Sequence, residues 1–402
     1  MNIAPPLPRD PRGAARSVAV DLHAVAGAER DPQAAWRALG RAAGEEHGLI
    51  WSTLQDGHWI ATNAEMVEQI YRDNERFSNI VLNVPAERFD LKLLPIQLDG
   101  AQHRKVRALI EPAFRPAMVQ AFSIPARRLA VELVEGLQPK GGCEFVSDFA
   151  LILPLSVFLW IVDLPLEDRP MLQRWVHTCT RGTMEQAQQA FGNLVEYVDT
   201  SIRKRAADLG DDLLSTVITA KVDGRPLTHE EQLGTGMLLM LAGLDTVAAM
   251  MSFVMKYLAG HSEARRWIIA NPTQISVATE ELMRRHGVAN NTRTATCDVQ
   301  LGGVTIHKGE HVLLPNCVHG MDEALFPSPE TVDFNRELTR TATFGFGPHR
   351  CAGANLARME MRIMLQEWLA RIPEFELDPS RPVRQQTAAV NGILDLPLRW
   401  GA

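Results

Sequence analysis

The stretch from Leu233 to Met255 is long and apolar enough to cross a bilayer, for which ~20 residues suffice. Asp245 and Thr246, in its middle, argue against that use, because a carboxylate at mid-bilayer is costly. A helix of such hydropathy has another stable home, the interior of a large protein. The rest of the chain must then wrap around it. With 402 residues, 46% of them apolar, it can bury such a core without disulfide or metal staples. A second apolar run, Phe149 to Val162, contains Pro154 and Ser156 and is too short to span.

Around this centre, apolar positions recur at three- and four-residue spacing over 62–76, 100–113, 125–137, 165–178, 184–208, 229–258, 262–270, 273–286 and 352–372, which predicts helices. Strand-like pieces are shorter: 49–53, 58–61, 294–296, 303–306, 311–314 and 394–400. No 20–50-residue period repeats, which excludes a solenoid. The reading is one domain over 1–402, mainly α with a minor β region contributed by both ends. Residues 1–30 form a partly extended arm, with four prolines in MNIAPPLPRDPRG and no signal-peptide pattern. A cytoplasmic protein is expected. The net charge of −7 argues against a general nucleic-acid binder. The five cysteines are widely spaced without a CxxC, unlike a disulfide framework or a four-cysteine zinc site.

One cysteine stands apart. Phe344-Gly-Phe-Gly-Pro-His-Arg-Cys351-Ala-Gly353 leads directly into a helical pattern. Glycine and proline make a tight loop there, and the helix entrance stabilises a thiolate. Such a thiolate can be a nucleophile or an axial ligand to iron.

Read at Phe344, Gly347, His349, Cys351 and Gly353, the stretch resembles the haem-binding signature of the cytochrome P450 family. That resemblance implies a P450 fold, with the long central helix over a haem-thiolate site. Cys351 would ligate the iron of haem b, pushing electron density that favours O–O cleavage. Gly347 and Gly353 would let backbone N–H groups approach the sulfur, and Phe344 would cover it. The family's Glu-x-x-Arg is Glu281-Leu-Met-Arg284, implying a buried pair that must be fully hydrogen-bonded. By spacing, the third member of that network falls on Thr331, with Arg336 nearby. The family's acid–alcohol pair, which delivers protons to dioxygen, is Asp245-Thr246. Gly243 weakens the helix just before it, and the Thr246 hydroxyl can bond a carbonyl one turn back. His103, Arg107, Arg293 and His349 match positions that hold the haem propionates.

From about Ala35 to Trp400 the chain resembles the bacterial camphor-hydroxylase group. Its substrate-binding tyrosine corresponds to Leu91 here, and a pocket acid corresponds to Asn291. With Leu238, Leu241, Ala242, Ala289, Ala389 and Val390 this implies an apolar pocket. A small terpenoid, camphor- or cineole-like, or a norisoprenoid such as ionone is expected. No Gly-x-Gly-x-x-Gly follows a strand, so no fused flavin reductase is expected. The resemblance implies electrons passed from NAD(P)H through a reductase and an acidic [2Fe–2S] ferredoxin. Arg72, Arg76, Arg104, Arg107, Arg350 and Arg358 would form its docking patch. A membrane partner is not expected. The alternatives are a peroxide-using peroxygenase, which the acid–alcohol pair argues against, and a non-catalytic haem sensor or carrier.

Overall fold

The computed structural model describes residues 17–43, 48–85, 91–243, 245–338 and 340–401. The first sixteen residues of the expected arm lie outside them. Just beyond, Ser17–Val18 is a strand, paired in parallel with Trp51 and Ser52.

The long apolar run does sit in the core, but as two helices, not one. His229–Ala242 starts from a capping box in which Thr228 and Glu231 satisfy each other's backbone amides. It stops at Gly243, and Asp245–Gly260 resumes the path. A glycine disfavours helix, and the Thr246 hydroxyl donates to the Ala242 carbonyl at 3.1 Å, a back-bond that bends helices. The sequence predicts one helix over 229–258 and places its weak point at this break. Beyond it, Val247, Met251, Phe253, Val254 and Leu258 are buried in the main hydrophobic cluster with Phe145, Phe149 and Trp368. Of the most apolar window in this stretch, 71% is buried within the protein.

The architecture is 54% helical with a smaller sheet portion. The largest sheet has six strands in the order Ser17–Val18, Leu49–Ser52, His58–Ala61, His311–Pro315, Asn290–Ala295, Phe77–Ser78. His311–Pro315 runs parallel to His58–Ala61 and antiparallel to Asn290–Ala295, so distant parts of the chain meet in one sheet as expected. The expected strand 394–400 is two strands, Gly392–Asp395 and Pro397–Arg399, belonging to different sheets.

The periodicity misses Ile152–Ile161, a helix. It is apolar on all sides, so it has no polar face to create a period. Pro154 falls in its first turn, where a missing N–H breaks no helical bond. Helices over Pro32–Ala43 and Leu213–Thr219 also go unpredicted.

Candidate functional site

The cysteine loop folds back on itself. The Cys351 amide donates to the Phe344 carbonyl at 2.9 Å, and the Arg350 amide to Gly347 at 3.1 Å. Gly347 has a positive φ of 70°, and a Cβ there would stand 2.6 Å from the Tyr71 carbonyl oxygen. Backbone conformation and close approach both demand glycine. The helix Ala354–Arg371 begins directly after Gly353. Burial raises the Cys351 thiol pKa, while the Gly353 amide and the charges of Arg107, Arg350 and Arg358 lower it. On balance the thiol pKa is raised, although the residue as a whole is exposed by surface area. Phe344 lies beside it, with the Arg358 guanidinium 4.5 Å from its ring centroid.

Four basic side chains converge at this loop. His103, on the helix Gly100–Ile110, packs against His349 with ring centroids 3.9 Å apart and ring planes tilted by 33°. Both ring nitrogens of His103 and Nε2 of His349 are buried without a hydrogen-bond partner. Asp99 Oδ1 is 3.5 Å from His349 Nε2, an ion-pair distance but too long for a good hydrogen bond. Arg293 is 4% exposed; its Nη1 donates to the Thr292 carbonyl at 2.8 Å, and its guanidinium lies 4.8 Å from the Tyr71 ring centroid. Burial lowers the His103 pKa to about 4, the His349 pKa to about 3, and that of Arg293 in direction. Arg107 donates to the Arg350 carbonyl at 2.7 Å, which joins the helix to the cysteine loop. Buried polar atoms of basic groups, partnerless beside the Cys351 thiol, fit a ligand with an anionic edge and a thiolate-binding centre.

Glu281 and Arg284 are fully buried and joined by two bonds of 2.7 and 2.8 Å. Arg284 also donates to the carbonyls of Gly320, Pro329 and Thr331. Glu281 Oε1 accepts from the Asp333 amide at 2.9 Å and from Arg336 Nε at 3.3 Å. The third charged member is thus Arg336; Thr331, the position reached by spacing, contributes only its carbonyl. From the same helix the Met283 carbonyl accepts from the Thr343 hydroxyl at 3.3 Å, tying the network to the cysteine loop.

At the helix break Asp245 is buried at 5% exposure. Ala242 and Gly243, at the end of the first helix, are exposed, so the break opens onto accessible space. Ala289 bridges Val390, and the Asn290 amide donates to Ala389 at 2.8 Å; these three expected wall residues therefore form one layer. Leu238, Leu241 and Leu91 are half-buried. Asn291 is engaged elsewhere: its Nδ2 donates to the Tyr71 hydroxyl at 2.7 Å, which in turn donates to Asn316 Oδ1 at 2.5 Å.

Known proteins resemble this chain over most of its length. Residues 275–397 match the family model for cytochrome P450. A probable cytochrome P450 127A1 of Sinorhizobium fredii is 34% identical over 355 residues, covering 87% of this chain and 85% of its own. The chain is a cytochrome P450. A 20-oxo-5-O-mycaminosyltylactone 23-monooxygenase of Streptomyces fradiae is 32% identical, covering 76% of this chain and 74% of its own. The solved structure of cytochrome P450 CYP101C1 superposes with a TM-score of 0.88 at 41% identity, covering 97% of this P450 and 98% of that chain. The family's cofactor is haem b, and its monooxygenases work with redox partners.

The expected docking arginines are less uniformly positive than their positions in the sequence imply. Arg72 pairs with Glu68, Arg76 with Asp73 and Arg358 with Glu280. Sequence reasoning also overlooked Tyr71. Its type is its only signal, and its partners lie 220 and 245 residues away.

Proposed function

We propose that this cytochrome P450 is a soluble, cytoplasmic, single-domain enzyme that inserts one oxygen atom of O2 into an unactivated C–H bond of a small apolar molecule. The substrate is a monoterpenoid of camphor or cineole size, or a norisoprenoid. Electrons come from NAD(P)H through a reductase and an acidic [2Fe–2S] ferredoxin. Haem b, bound through Cys351, supplies the activation of O2.

This chain's own residues do the rest. His103, Arg107, Arg293 and His349 hold the propionates, and Phe344, Gly347 and Gly353 shape the cover of the thiolate. Glu281 and Arg284 fix the scaffold beneath it. Asp245 takes protons from solvent, and Thr246 positions them at the pocket. Leu91, Leu238, Leu241, Ala242, Ala289, Ala389 and Val390 exclude water and hold an apolar ligand.

The observation that carries the reading is the helix break. An acid and an alcohol adjoin the exposed helix end at Ala242 and Gly243, and a proton path needs a hydrogen-bonded donor chain. A sensor or carrier has no use for that pair. The test titrates haem-loaded protein with camphor, cineole and ionone, following the ferric spin-state shift. Product is then measured with ferredoxin and reductase, or with peroxide alone. Hydroxylated product only with the redox partners and O2 supports the monooxygenase; equal turnover with peroxide alone would favour a peroxygenase.

A further inference from the structure

Gly234 lies on the helix His229–Ala242, one turn before Leu238 and two turns before Leu241 and Ala242. Residues at this spacing share a helix face, so Gly234 opens the stripe that leads to the break at Gly243. A Cβ at Gly234 would fall well inside contact distance of the Lys92 carbonyl oxygen, with Leu94 Cγ 3.6 Å away. The obstacle is backbone, which cannot turn aside as a side chain does. The Leu94 amide also donates to the Gly234 carbonyl at 3.2 Å. The loop is thus seated on the glycine and hydrogen-bonded to it.

That loop is braced from behind. The Leu93 amide donates to Gln97 Oε1 at 2.7 Å, and Gln97 Nε2 to the Ile80 carbonyl at 2.9 Å. Asn79 Nδ2 donates to the Ile96 carbonyl at 2.6 Å. A segment held in this way cannot fold around an added methyl group locally; it has to move as a body. Leu91 stands at its head, half-buried and packed against the main core.

We propose that Gly234 is a specificity-determining residue. Its missing side chain lets the Leu91–Leu94 segment sit down on the pocket face of the helix, and that closeness keeps the pocket small and selects compact ligands over extended ones. The proposal rests on the reading of Leu91 and Leu238 as pocket walls. Gly236, two residues on, provides the contrast. A Cβ there would meet Val198 Cγ1 at 2.8 Å and Ile202 Cδ1 at 3.7 Å. Both belong to the helix Met184–Ala207, not to the loop.

The test uses full-length, haem-loaded wild type, Gly234→Ala and Gly236→Ala. Each is titrated with imidazole and 4-phenylimidazole, which bind the iron whatever the natural substrate, and with camphor and ionone. Gly234→Ala should raise the affinity for 4-phenylimidazole relative to imidazole by about tenfold, ~1.4 kcal/mol, with hydrogen exchange at the Leu94 amide accelerated. Gly236→Ala should leave that ratio within about twofold. An unchanged imidazole ratio in Gly234→Ala overturns the proposal. If neither terpenoid binds the wild type while the imidazole ratio still shifts, the substrate class fails and the role of Gly234 stands. If Gly234→Ala does not fold, the wild type decides: bound 4-phenylimidazole, pressing on the loop, should change exchange at the Leu94 amide. No change there overturns the proposal.

Discussion

Arg336 Nε lies 3.3 Å from Glu281 Oε1, on a carboxylate already held by two bonds from Arg284. Glu281 is therefore shared between two guanidiniums and a backbone amide, that of Asp333. The three are not equivalent. Arg284 is wholly buried, whereas the Arg336 side chain retains 10% exposure. Arg284 would be left a buried charge without its partner; Arg336 could still reach water.

Substitutions of the outer arginine and of the central carboxylate should separate accordingly. Arg336→Ala removes the bond to Glu281, ~1.5–3 kcal/mol for a charge-assisted bond, along with solvent-exposed bonds to the carbonyls of Pro327, Ser328 and Thr331, and should give folded, haem-binding protein of lower urea midpoint. Glu281→Ala leaves Arg284 uncompensated, ~3–5 kcal/mol, and should give little holo-protein. Equal unfolding midpoints for wild type and Arg336→Ala would show that the outer arginine contributes nothing.

Cys351→Ala should abolish the thiolate spectrum of the reduced CO complex while the protein remains folded. Cys143 and Cys317 are buried, and burial pushes their thiols up, to about 12 for Cys317. Neither lies in the glycine-rich loop that leads into the helix Ala354–Arg371. Retention of the thiolate-type Soret band in the variant would overturn the ligand assignment.

Much of this site could be read from the sequence, and the limits have physical causes. Backbone demands show directly: Gly347 at positive φ and Gly243 at the helix break are where residue type alone predicts conformation. The helix 262–270 and the strand 58–61 also have the expected bounds. What spacing cannot supply is the reach of a side chain. Arg336 enters the network from five residues beyond Thr331 because a long guanidinium side chain covers the gap. The Tyr71–Asn291–Asn316 triad joins three separate elements, and no local pattern marks it. The packing of His103 against His349 depends on the same long-range folding.

Thr246→Ala should uncouple the enzyme, not silence it. The hydroxyl at 3.1 Å from the Ala242 carbonyl places a proton donor at the break, while Asp245 is untouched. NADH consumption in the reconstituted system should stay within about threefold of wild type, with peroxide replacing most product; general acid–base groups typically contribute ~10²–10⁴-fold to the step they serve. Asp245→Asn should instead slow NADH consumption itself. A tightly coupled Thr246→Ala enzyme would exclude Thr246 from proton placement.

Glu360 gives a prediction about stability alone. It lies on the helix Ala354–Arg371, 1% exposed, with Oε2 lacking a hydrogen-bond partner. Burial raises its pKa from 4.5 to about 8. A carboxyl group whose pKa is raised in the folded state favours folding fully below the unfolded value, where both states are protonated. That favour is lost as pH climbs from 4.5 toward 8, because the unfolded chain releases its proton first. At pH 8 the folded protein thereby forgoes about 3–5 kcal/mol relative to a neutral group. Glu360→Gln keeps the shape and removes the titration. Urea unfolding of both proteins should show a stability difference in favour of the variant that is smallest near pH 5 and grows steadily to pH 8. A difference that is flat across this range would mean that Glu360 ionises in the folded protein as readily as in the unfolded chain.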